Sequence, residues 1–158
     1  MKRKRWLALF VENDVGVLAE ISSLFAGKAY NLDSLTVGVT ADKTISRMTI
    51  CLTSDDVLFE QIKKQLNRNV NVIKVIDLTD SFVAERELAY LKITDFKPEN
   101  LYPLFEIVKQ FELQILEIKS DEILLQSVNS FERTDELINK LADGKYAVEV
   151  VRSGSVAI

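Results

Sequence analysis

The 158-residue chain carries 20 Lys and Arg against 24 Asp and Glu, a net charge of -4, with 47% hydrophobic residues, one cysteine and no histidine. That acidic balance argues against nucleic acid or an anionic membrane as a partner, and the single Cys51 excludes an internal disulfide and suits a reducing compartment. Without histidine the chain lacks the commonest general base and transition-metal ligand, and its scattered glycines cannot form a phosphate loop, so a non-catalytic protein is expected.

In chain order, residues 1–5 (MKRKR) are the one basic cluster and read as a solvated, partly frayed end. No apolar run approaches the length of a membrane span, and no signal-type apolar block follows the basic start; a cytoplasmic location is expected. Residues 5–11 (RWLALFV) have the pattern of a buried strand. Val17, Leu18, Ile21, Leu24 and Phe25 then fall at helical spacing, with Gly27 placed for a left-handed C-terminal cap. Residues 32–40 and 45–53 are two β-branched runs around the polar turn Ala41-Asp42-Lys43, an antiparallel hairpin in which Cys51 is a buried, inert thiol. Ser54 is placed to cap a second helix with Asp55 and Asp56 in its first turn and Leu58, Phe59, Ile62 and Leu66 on its buried face. Residues 70–78 alternate as a strand, which completes a β-α-β-β-α-β order.

The second half repeats that order without obvious sequence identity: strand 85–94, helix 100–110, strands 112–118 and 122–128, helix 131–141, strand 146–152. Pro103 is tolerated only in a first helical turn, so its helix begins no earlier than about Leu101. The short polar link Thr79-Asp80-Ser81 sets two domains at 1–79 and 80–158. The expected class is α+β, two ferredoxin-like sandwiches. Units of about 75 residues bury little apolar surface alone, which predicts pairing, most simply in a twofold homodimer.

One loop raises a functional question. Asn13-Asp14-Val15-Gly16 precedes the first helix, whose leading amides carry partial positive charge; a carboxylate docks well there, Gly16 leaves it room, and the Asn13 amide complements both ends of a zwitterion. The same residues also make an ordinary capped turn, which spacing alone favours, as it does for Tyr30-Asn31. A dimer seam that joined the two features would hold a small ligand. Leu32, Leu35 and Val37 are core residues by type, and Glu85-Arg86-Glu87 is expected to be a solvated patch at a strand edge.

The stretch ALFVENDVGVLAEISSLFAGKAYNLDSLTVGVT resembles the small regulatory subunits of acetolactate synthase, also called acetohydroxyacid synthase. SRMTI at 46–50, EQIKKQLNRNVNVIKVIDL at 60–78, ERELAYLKI at 85–93 and VRSGSVAI at 151–158 extend the resemblance nearly end to end. It implies an N-terminal ACT domain for effector binding and dimerisation, a C-terminal ferredoxin-like domain, a homodimer, and a separate catalytic subunit in branched-chain amino acid biosynthesis. On that subunit it places thiamine diphosphate, FAD and magnesium, and on this chain no cofactor. The effector it implies is valine, or leucine or isoleucine, causing feedback inhibition. Carried over residue by residue, the effector contacts are Asn13, Gly16, Val17 and Leu18 at the loop and helix start and Asn31 at the opening of the second strand. Thr36 and Gln61 lie in motifs that the family links to valine sensitivity. Ala29 stands where the family usually has Gly, and Gly38-Val39 where a small residue and Pro are frequent; both bear on pocket shape. The alternative is a stand-alone ACT-type amino-acid sensor without a synthase partner.

Overall fold

The computed structural model describes residues 1–27, 30–81 and 84–158. Contacts divide the chain into one unit of Met1–Ala84 with Ser155–Ile158 and a second of Glu85–Gly154. The first unit holds β1 (Arg3–Glu12), α1 (Val17–Ala26), β2 (Ser34–Val39), β3 (Ile45–Ser54), α2 (Asp56–Leu66) and β4 (Val72–Asp77). Its strands bond in the order β2-β3-β1-β4, with antiparallel registers throughout. Because successive strand residues face opposite sides, the register sets Leu35, Ile50 and Leu7 on one face and Thr36, Thr49 and Ala8 on the other.

The apolar face carries the helices. Leu7, Leu9, Val11, Met48, Ile50 and Leu52 pack against Val17, Ile21 and Phe25 of α1 and Phe59, Ile62 and Leu66 of α2. Those helix residues recur every three or four positions, and each buried side chain contributes about 1.5–3 kcal/mol before ordering entropy is counted. On the other face Ala8 and Leu78 cluster with Ala157, and Trp6 and Ile76 pack around them. Residues 155–158, placed with the second domain by the sequence, thus group with the first unit. The contacts responsible join residues far apart in the chain, such as Thr36 and Ser155, 119 positions apart, beyond the reach of any local pattern.

The second unit comprises β5 (Glu85–Thr94), a 3-10 turn (Pro98–Asn100), α3 (Leu101–Gln110), β6 (Gln114–Ile118), β7 (Glu122–Asn129), α4 (Phe131–Asp143) and the body of β8 (Ala147–Ala157). The sheet order is β6-β7-β5-β8, so this unit is a second ferredoxin-like sandwich. Ala89, Leu91, Ile93, Ile123 and Leu125 meet Leu104 and Ile107 of α3 and Leu137 and Leu141 of α4. α3 begins at Leu101, where Pro103 requires it. On the face away from this core, Tyr90 and Val128 are exposed.

Four local expectations are corrected. Gly27 ends α1 in the right-handed region, φ -63°, with its N–H reaching the Phe25 and Ser23 carbonyls, so no left-handed cap forms at that residue. Ser54 remains the last residue of β3, and Asp55 caps α2 by accepting from the Leu58 N–H, because the helix begins at Asp56 and Asp55 is the residue just before it. The basic start is ordered strand: Arg3 makes a two-pronged bond to Asp80, and Arg5 is buried beside Asp56 with Phe59 beneath it at 5.0 Å. Glu87 is no solvated edge residue, since β5 lies inside its sheet; it is 3% exposed and bound by Arg152. Ala29, the departure from the family's Gly, lies outside the described residues.

Candidate functional site

Where β1 ends, backbone bonds fix the chain before any helix starts: Glu12 N–H donates to Asn71 O at 2.9 Å and Asn13 N–H to Thr44 O at 2.8 Å. The Asn13 side chain turns the same way. It donates to Lys43 O at 2.9 Å and accepts from the Ser46 hydroxyl at 2.9 Å. Asn13 therefore braces the loop against the β2–β3 hairpin and caps nothing. The hairpin is tied in turn by Asp42, whose carboxylate accepts from the Thr44 hydroxyl at 2.7 Å and the Thr44 N–H at 2.9 Å. Those two bonds, the hydroxyl's first, hold the Asp42 carboxyl below its ordinary pKa.

Gly16 then starts α1 at φ +92°, and a Cβ there would meet nothing within 4 Å. The glycine is demanded by its backbone angle and not by crowding. Among the described residues no side chain caps α1, and the Val17 N–H reaches Asp14 O only at 3.4 Å. The partial positive charge of the leading amides is thus left open. Glu20 is the acidic residue of the first turn, and its two oxygens are taken up by the Asn69 and Asn71 amides at 2.8 and 2.6 Å. Val17 is buried in the core, whereas Val15 and Leu18 stand exposed on either side of it. Open amides beside two exposed aliphatic side chains suit a small molecule with one carboxylate and one apolar branch. Val15 was missed from sequence, because exposure on a loop leaves no periodic trace.

Of the expected contacts, Asn13, Gly16, Val17 and Leu18 come together here, and the other three do not. Asn31 lines a cavity of about 250 Å3 with Lys2, Tyr30, Asp33, Leu52, Thr53 and Leu58. Thr53 pairs with Lys4 at the start of β1, whereas Asn13 follows its end. β1 is 10 residues long, so the two sites lie about 30 Å apart at about 3.3 Å per residue. Thr36 points to the sheet face away from the helices, where its hydroxyl donates to Ser155 O at 2.9 Å. Gln61 is exposed on α2, in the helix layer. At the sheet's margin, β2 is an edge strand that presents exposed Val37 and Val39.

Comparison with known proteins supplies what a single chain cannot. The family profile described as an AHAS small subunit-like ACT domain matches residues 7–74, and one described as the small subunit of acetolactate synthase matches 86–158. The chain is 36% identical over 156 residues to an acetolactate synthase small subunit of Aquifex aeolicus, covering 99% of this chain and 81% of that one. It is 35% identical over 157 residues to the isozyme 3 small subunit of Salmonella typhimurium, covering 98% and 94%. A crystal structure of the small subunit from Thermotoga maritima superimposes with a TM-score of 0.86 at 29% identity, over 99% of this chain and 96% of that one.

Proposed function

The chain belongs to the acetolactate synthase small-subunit family, and from that premise we propose that it binds a branched-chain amino acid between two copies of its first unit. Through that ligand it confers feedback inhibition on a separate catalytic subunit, whose activity it otherwise raises. The observation that carries this reading is the uncapped start of α1 at Gly16, flanked by exposed Val15 and Leu18.

The ligand's carboxylate lies on the first amides of α1, where such docking is worth roughly 0.3–2 kcal/mol, and its aliphatic branch lies against Leu18 and Val15. Asn31 meets it from a second copy, since within one chain the two sites sit at opposite ends of β1. The β2 edge, with Val37 and Val39 exposed, supports side-by-side pairing of the copies. Asn13 holds the loop in shape. Thiamine diphosphate, FAD and magnesium belong to the catalytic subunit, and the complex is cytoplasmic. Occupancy shifts the dimer between arrangements with a coupling of about 1–3 kcal/mol, enough for a several-fold to hundredfold change in the partner.

Titration of this chain into purified catalytic subunit, with and without valine, tests the proposal. Acetolactate formation should rise with added chain and fall again when valine is present, and the isolated chain should turn nothing over. A chain that binds valine calorimetrically yet leaves the synthase rate untouched is a stand-alone sensor. Absence of any heat or rate response to valine, leucine or isoleucine removes the effector reading.

A further inference from the structure

The face of the first sheet away from the helices is covered in part by the chain's own segment Ser155–Ile158. Ser155 is gripped at both ends of its backbone: its N–H donates to the Ser34 hydroxyl at 2.9 Å, and its carbonyl accepts from the Thr36 hydroxyl at 2.9 Å. Arg47 donates to Ala157 O at 2.6 Å, and Ile158 exchanges backbone bonds with Ala84 at 3.1 Å each way. Two of the fastening residues, Ser34 and Thr36, lie on edge strand β2.

This cover differs in kind from the helix layer. Among the described residues its buried apolar cluster is Ala157 against Ala8 and Leu78, with Trp6 and Ile76 alongside. Beneath it, the Ser155 hydroxyl is fully buried and finds no partner among the described residues. A buried hydroxyl without a bond disfavours the closed arrangement, and a segment with little apolar burial opens far more readily than a core. Beside the segment, Val156 and Ile158 line a groove of about 440 Å3 with Thr36, Gly38, Arg47 and Thr49, which leaves room for a shift.

We propose that Ser155–Ile158 is a releasable strap, and that its release or closure is how edge strand β2 passes effector occupancy to the rest of the chain. Thr36 is then a fastening residue for the strap and makes no contact with the ligand. The signalling half rests on the effector reading above; the strap itself does not. A ligand that draws two β2 edges together moves the strand that holds Ser155, and it shifts the strap only by its different affinity for the two states.

The lone cysteine is a built-in probe. Cys51 is fully buried and lies opposite Ser34 in the β2–β3 register, on the strapped face. In full-length protein without valine or partner, Thr36→Val should speed reaction of Cys51 with an aromatic disulfide reagent about tenfold, by removing a bond that holds the strap closed. Ser155→Ala should slow it several-fold, because it removes the unpaired hydroxyl. Unchanged labelling in Thr36→Val, or faster labelling in Ser155→Ala, overturns the strap. Saturating valine should alter the wild-type labelling rate and leave that of Thr36→Val unchanged, while calorimetric affinity stays within about twofold in both. Valine that binds without altering wild-type labelling overturns the signalling role and spares the effector reading. A tenfold loss of valine affinity in Thr36→Val makes Thr36 a ligand contact and overturns its role as fastener.

Discussion

Among the described residues neither α1 of the first unit nor α3 of the second has a side-chain cap, but α1 starts abruptly at a left-handed glycine, whereas α3 is led in by the 3-10 turn Pro98–Asn100, whose Pro98 carbonyl accepts from Leu101. The later helices repeat the contrast in another form. α2 has one cap, Asp55, while the start of α4 is held by Ser130 on Arg133 and by both oxygens of Glu85 on the Phe131 N–H. Next to that, Arg152 joins buried Glu87 to Asp135 and lies over the Phe131 ring at 4.3 Å. One topology has thus been used twice, once with the first helix opening on a bare glycine turn and once with the first helix led in by a 3-10 turn and the last held at its start by Ser130 and Glu85. Binding capacity lies in the loops, and the β-α-β-β-α-β order only positions them.

The sharpest break in this comparison is expected from Arg152→Met. It leaves the Glu87 carboxylate buried without its partner, and should destabilise the second unit by about 3–5 kcal/mol in urea unfolding while valine affinity is unchanged. Next is Gly16→Asp, which puts a side chain and a negative charge at the open amides; valine inhibition, a coupling of about 1–3 kcal/mol, should vanish while stimulation of the catalytic subunit survives. A variant that remained fully valine-sensitive would show that the open helix start is not the receptor. Asp55→Ala should cost about 1 kcal/mol of stability by thermal melting and leave inhibition intact, separating a structural helix start from a binding one. The smallest effect concerns Asp42. Its folded pKa lies below the ordinary value, so its contribution is complete above about pH 4 and is lost as pH falls through the depressed value. Asp42→Ala should therefore lower Tm slightly at neutral pH and flatten the acid limb of a Tm-against-pH curve, so that the variant and wild-type curves converge at low pH.

Much of this was legible in the residues, and the failures have a common cause. Period-3.6 runs such as Val17, Ile21 and Phe25 declared their helix, the turn at 41–43 declared its hairpin, and Pro103 placed the start of α3. Local chemistry decides those features, so a local pattern finds them. Glu87 was misjudged because its burial depends on β5 being an inner strand, and the basic start because the Asp80 that holds Arg3 sits 77 residues away. Asn13 shows the intermediate case. Its place in the loop was clear, but its bonds to Lys43 and Ser46 depend on how the hairpin folds back. The long-range grip of Ser34 and Thr36 on Ser155 left no mark in the sequence at all.

That grip also bears on how the protein is made. The first unit is discontinuous: the residues that cover its second sheet face are separated from the rest of it by the whole of Glu85–Gly154. At about 5–20 residues per second, a ribosome needs several seconds or more to synthesise that stretch. Throughout the interval Ser34, Thr36 and Arg47 lack the backbone partners that Ser155 and Ala157 later supply. Final closure of the first unit therefore waits on residues made only after the whole of Glu85–Gly154.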